Sequence, residues 1–98
     1  METNLQAARA RQPHGETLRR YAEVARWLTG DATATAEDGV RWVRALVAEL
    51  QIPGLRAYGV TSDHVSLLVE KAAQASSMQA NPLPLTPGEL AAIVLRSL

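Results

Sequence analysis

The stretch from Thr35 to Leu50, TAEDGVRWVRALVAEL, constrains what this chain can fold into more tightly than any other. Its apolar residues fall at Val40, Val43, Leu46, Val47 and Leu50, the spacing that lines one side of an α-helix. One face of that helix is predicted to be core, with Trp42 beside the stripe and widening it. Thr35 followed three places later by Asp38 is a capping-box start, in which hydroxyl and carboxylate satisfy backbone N–H groups that have no intrahelical partner. Ile52, Pro53 and Gly54 are predicted to end the helix, since proline cannot extend the ladder and glycine tolerates a left-handed turn.

The segments on either side are helical too. Thr3 to Arg11 reads as a short helix with a weak apolar face, capped by Thr3 or Asn4 and broken by Gln12, Pro13, His14 and Gly15. Thr17 to Leu28 places Leu18, Tyr21, Val24, Ala25 and Leu28 on one side and is clearly amphipathic, with Glu16 or Thr17 at its start. Beyond the central helix, Gly54 to Gly59 is a loop whose Leu55 and Tyr58 are expected to fold back on the core. Thr61, Ser62 and Asp63 are three candidate caps for a fourth helix from about Ser62 to Ala75. Asn81, Pro82 and Pro84 then impose an extended segment. Thr86-Pro87-Gly88-Glu89 opens the last helix with a cap, a proline at the first helical position and a carboxylate to close the box. Leu90, Ile93, Val94 and Leu98 form its buried side. No alternating pattern of strand length occurs. The predicted fold class is all-α, four to five short helices in a compact bundle, with residues 1–98 as one helical domain.

Composition narrows the chemistry. The chain has no cysteine, which excludes disulfides, thiolate metal sites and cysteine nucleophiles. Ten basic and ten acidic side chains balance to a formal charge of +0, which argues against nucleic acid or an anionic membrane as partner. A helix-turn-helix reading of the third and fourth helices fails on the same ground, because SDHVSLLVEK offers phosphates little but Lys71. No apolar run approaches bilayer length and METNLQAARARQ lacks the apolar core of a signal peptide, so a cytoplasmic setting is the default expectation. Phenylalanine is absent, which leaves Leu, Val, Ile, Ala and the few Trp and Tyr rings to build the core.

Candidate chemistry is sparse. His14 follows a proline in a loop and His64 lies in the first turn of a helix, too far apart in sequence for ligands one turn from each other; both read as polar residues of intermediate or full exposure. Glu37 and Asp38 sit at a helix start, where capping explains them better than a paired-carboxylate mechanism. Arg9, Arg11, Arg19, Arg20 and Arg26 read as a solvated face, diluted by Glu16 and Glu23 and lacking aromatic interleaving. The glycines form no phosphate cradle. Packing alone explains Met78, Asn81 and Pro82 least; this rigid loop is the one candidate for the wall of a substrate cleft, weighed against a plain connector.

Taken together, YAEVARWLTG, ATAEDGVRWVRALVAELQIPGL, AYGVTSDHVSLLVEKAAQASSM and ANPLPLTPGELAAIVLRSL resemble the C-terminal end of an iron-containing alcohol dehydrogenase, in the branch that includes maleylacetate-reductase-like enzymes. Order and spacing carry the resemblance, from about Asn4 to Leu98. It implies the helical C-terminal domain of the dehydroquinate-synthase-like fold. It also implies a parent that interconverts alcohols and carbonyl compounds with NAD(P) and iron or zinc. The family's metal ligands, an aspartate and three histidines on earlier helices, map onto no residue here. Leu83 stands where relatives commonly have arginine after the Asn-Pro pair, and Ser77 and Met78 stand where a cysteine is often found.

The resemblance therefore implies a chain with no catalytic, cofactor-binding or metal-binding residue of its own, structural by itself. Its expected partner is the rest of a dehydrogenase chain or a second copy, giving a homo-oligomer. Apolar surface left uncovered is expected to favour self-association, with the first helix as the place of the missing contact. The alternative is a stand-alone helical protein-interaction module.

Overall fold

The computed structural model describes residues 1–98 and is helical throughout, with no strand. Six α-helices form: α1 Glu2–Arg11, α2 Glu16–Thr29, α3 Ala36–Glu49, α4 Val65–Gln74, α5 Ser76–Gln79 and α6 Pro87–Ser97. Two 3₁₀ turns, Leu55–Tyr58 and Ser62–His64, precede α4. The number exceeds the four to five expected because Ala75 adopts extended backbone and splits the one-turn α5 from α4. A single turn is too short to show a periodicity. The helices divide into two compact units, Met1–Ile52 and Pro53–Leu98.

In the first unit α2 and α3 form a helical hairpin. The hairpin loop is organised by Asp31, whose Oδ1 accepts from the Thr33 backbone N–H at 2.8 Å and from the Thr33 hydroxyl at 2.7 Å. Thr35 opens α3 as its spacing predicts: its N–H donates to Asp38 Oδ2 at 2.7 Å and its Oγ1 accepts from the Asp38 N–H at 3.3 Å. Helix α1 runs antiparallel to α3, tied to it at both ends by Glu2–Arg44 and Arg9–Glu37 ion pairs, and to α2 by the Asn4 amide donating to the Tyr21 hydroxyl at 3.1 Å.

The core of this unit corrects the sequence reading in two ways. Helix α1 is deeply buried, with Ala8 fully enclosed and Leu5, Ala7 and Thr3 nearly so. Its small side chains let neighbouring backbones approach closely, and that compensates for a weak stripe. Thr3 and Asn4 accordingly lie inside the helix rather than capping it. The stripe of α3 behaves in the opposite way: Ala36 and Gly39 are buried, but Leu46, Val47 and Leu50 are exposed, Leu50 by 61%. Trp42 is also exposed, and Trp27 lies 76% open. Aromatic rings therefore do not widen the core. Helix α3 also stops earlier than proline would force it to, through Gln51 in the left-handed region (φ 53°), with the Ile52 N–H donating to Val47 O at 3.1 Å.

In the second unit α4 packs on α6, and Leu83 and Leu90 are its buried anchors. The last helix keeps its predicted start: the Thr86 N–H donates to Glu89 Oε2 at 2.7 Å and Thr86 Oγ1 accepts from the Glu89 N–H at 3.2 Å. Gly54 acts through close approach, since a Cβ there would meet the Leu98 carbonyl oxygen at 2.5 Å. Leu55 is half-buried as expected, whereas Tyr58 stands 73% exposed beside Gly59. No helix is long and apolar enough to cross a membrane.

Candidate functional site

Met78 lies in the single turn of α5, and Asn81 and Pro82 follow it in a tight turn leading to α6. The Asn81 N–H donates to Met78 O at 3.1 Å, and the Asn81 side-chain amide donates to Leu83 O at 2.8 Å. Met78 and Asn81 are half-buried and Pro82 is exposed. The turn is held from within: proline fixes one dihedral, the asparagine amide clamps the following carbonyl, and Leu83, 3% exposed, anchors the segment. With its donor directed at the backbone, Asn81 shapes the loop rather than presenting a polar group for chemistry. The burial of Leu83 makes it a packing residue.

His14 is an exposed loop residue. His64 turns its Nδ1 back to accept from the Thr61 N–H at 3.0 Å, completing a cap in the role that Glu or Gln usually fills. Thr61, of the three candidates, is thus the capping residue. No three acidic or histidine side chains converge where a metal ion could be held, so the donor set of this chain does not fit a metal centre, which needs three or more protein ligands. Nor does the fold contain the strand-to-helix turn that holds a dinucleotide.

The charged groups pair with each other. Glu16 bonds to Arg19 and Arg20, which lowers its pKa to about 2 and raises that of Arg19. Asp38 is lowered by the Thr35 N–H and hydroxyl, as a capping carboxylate should be. Asp31 is lowered by the Thr33 hydroxyl and N–H. Glu37 departs from its expected capping role: Arg9 grips it as a fork, Nε to Oε1 at 2.9 Å and Nη2 to Oε2 at 3.0 Å, and lowers its pKa. These two residues lie 28 positions apart, beyond any local pattern.

The arrangement leaves an open groove that the sequence reading missed. It runs between α1 and α3, holds about 720 Å³, and is lined by Leu5, Ala10 and Val40 with Arg9, Arg41, Arg44, Glu2, Glu37 and Gln6 around them. Two cross-helix ion pairs close its ends. Helix α1 supplies Leu5 and Ala10 to its floor, and α3 supplies Val40 and two arginines one turn apart.

Buried alanines and leucines, capping boxes and paired charges build an all-α fold. The sequence model described as the Fe-containing alcohol dehydrogenase family, C-terminal, matches residues 1–98. The chain belongs to the C-terminal domain of the Fe-containing alcohol dehydrogenase family. No curated protein and no solved structure matches it.

Proposed function

We propose that this chain is the helical C-terminal part of a metal-dependent, NAD(P)-linked alcohol dehydrogenase of the maleylacetate-reductase-like branch, structural and catalytically incomplete on its own. The observation that carries this reading is the family match over residues 1–98, joined to a donor set that does not fit the family's metal. The parent enzyme interconverts alcohols and carbonyl compounds by hydride transfer in the cytoplasm. Residues outside this chain supply its metal and nicotinamide.

The role of this part is to build helical wall and contact surface. Met78, Asn81 and Pro82 form a stiff turn suited to one edge of the substrate cleft. The exposed apolar half of α3, with Leu46, Val47 and Leu50, supports contact with the rest of the dehydrogenase chain or with a second copy, since groups of exposed apolar residues commonly mark interaction surfaces. The same surface favours the second reading, a helical protein-interaction module. Supplying Fe²⁺ or Zn²⁺ together with NADH or NADPH to the purified chain tests the proposal. Neither nicotinamide fluorescence change nor carbonyl reduction is expected, and turnover by the chain alone would overturn it.

A further inference from the structure

We propose that the Thr61–His64 cap makes the start of α4 sensitive to pH, closed while the His64 imidazole is neutral and released when it takes up a proton. Nδ1 of His64 accepts from the Thr61 N–H at 3.0 Å and lies 3.2 Å from the Thr61 hydroxyl. The His64 N–H donates in turn to the Thr61 carbonyl at 3.1 Å. A ring nitrogen that accepts a backbone N–H carries no proton itself, so in this cap the ring proton sits on Nε2. In the imidazolium both nitrogens are donors. The Thr61 hydroxyl can turn and accept from a protonated Nδ1, but the Thr61 N–H cannot, and two N–H groups would then face each other. The capping boxes of α3 and α6 close instead with carboxylates, Asp38 and Glu89. Carboxylates ordinarily titrate near pH 4, whereas imidazole changes charge between about pH 5 and 8.

The charges around the ring decide which form the fold favours. His64 stands at the N-terminal end of α4, where the helix dipole is positive and opposes a second positive charge. Asp63, its neighbour in the 3₁₀ turn, is the one carboxylate of that turn and pulls the other way. Val65, Ser66, Leu67 and Leu68 of α4 carry no charge, and its ionisable residues, Glu70 and Lys71, come in later turns. On α6, which packs on α4, the carboxylate of Glu89 is held by the Thr86 N–H and Arg96 lies in the last turn. The 3₁₀ turn before the cap carries Arg56 and Tyr58. The bond to the Thr61 N–H and the dipole both favour the neutral ring, against Asp63 alone. Val65, Leu68 and Val69 are half-buried, so releasing the cap loosens the first contacts of α4 in the second unit. The first unit has no such device, since His14, the only other histidine, is an exposed loop residue.

Amide NMR of the full 98-residue chain between about pH 8 and 5.5, a range above the ordinary carboxylate titrations, tests this. The Thr61 amide proton should move upfield along the same curve as the His64 ring protons. Hydrogen-exchange protection of Val65, Leu68 and Val69, corrected for the intrinsic dependence of exchange on pH, should fall about two- to fivefold, the scale of a lost cap. Amides of α2 and α3 should keep their protection. His64→Gln, whose side-chain oxygen accepts the same N–H at every pH, should hold α4 closed at both ends of the range. His64→Ala should leave it loosened at both, and His14→Gln should behave as the native chain. The proposal is overturned if protection at the start of α4 does not change with pH, if the Thr61 amide does not follow the His64 ring, if α2 and α3 lose protection equally, if His64→Gln retains the fall, or if His14→Gln removes it.

Discussion

Gly39 of α3 lies so close to Ala25 of α2 that a Cβ placed on it would come within 2.8 Å of the Ala25 Cβ and 3.1 Å of its Cα. The α2–α3 hairpin is therefore closed at a point where one helix contributes no side chain and the other only a methyl group. Gly39→Ala should destabilise the chain by about 1–3 kcal/mol through overpacking, although alanine in an open helix is favoured over glycine by about 1 kcal/mol. Ala25→Gly in the same chain should recover part of the loss, because the two positions share one contact. Urea unfolding of the single and double variants measures both terms.

The capping boxes of Thr35 with Asp38 and of Thr86 with Glu89 share no partner. Thr35→Ala and Thr86→Ala should each cost about 1 kcal/mol, and the double variant should show their sum to within about 0.5 kcal/mol. Chemical denaturation followed by circular dichroism reads all three.

Glu16, Asp31, Glu37 and Asp38 all have lowered pKa values. A carboxylate held below its ordinary pKa contributes stability that is fully present above that ordinary value and is lost as pH falls through the folded-state value. For Glu16 the window runs from 4.5 down to about 2. Thermal midpoints should therefore fall steadily as pH is lowered through this range. Glu16→Gln should flatten part of the slope, and added salt should shrink its share because the pair is exposed.

Leu83 and Asn81 hold the turn before α6 together. Leu83→Arg should destabilise by more than about 2 kcal/mol, since it replaces a buried aliphatic side chain with a charge and opens the anchor. Asn81→Ala should cost about 1 kcal/mol, the worth of one hydrogen bond. A milder effect of Leu83→Arg than of Asn81→Ala in thermal melts would show that the turn is held by its amide and not by its anchor.

How far the sequence told the fold depends on the range of the interactions. The capping boxes at Thr35 and Thr86 were legible because four consecutive residues contain the whole device. Helix α3 was legible as a helix, yet the burial of its stripe was not: spacing shows that Leu46, Val47 and Leu50 share a face, and is silent on whether anything covers it. Helix α1 hides the reverse case, since Ala7 and Ala8 are buried by close backbone approach that no hydrophobic stripe advertises. The apolar surface left open consequently lies on α3 rather than on α1. Gly39, within an otherwise regular helix, marks a separate close approach, that of α3 to Ala25 of α2. For the candidate site, two prolines and an asparagine marked the Met78–Pro82 turn, whereas the α1/α3 groove depends on Arg9 meeting Glu37 and Glu2 meeting Arg44, pairings that only the tertiary fold creates.

The exposed half of α3 gives the contact surface its own test. Leu46→Glu with Leu50→Glu should change the stability of the isolated chain by less than about 0.5 kcal/mol, as surface substitutions do. The same pair of changes should lower its tendency to self-associate, read by sedimentation velocity across a concentration series.

The central claim is that this chain is a structural part of a metal-dependent dehydrogenase and holds no metal itself. Size-exclusion chromatography with light scattering, and metal analysis on the same peak, tests it most directly. A metal-free dimer or larger species is the predicted result, with the apolar face of α3 covered by a second copy. A monomer carrying stoichiometric iron or zinc would contradict the account and return His14 and His64 to consideration as ligands.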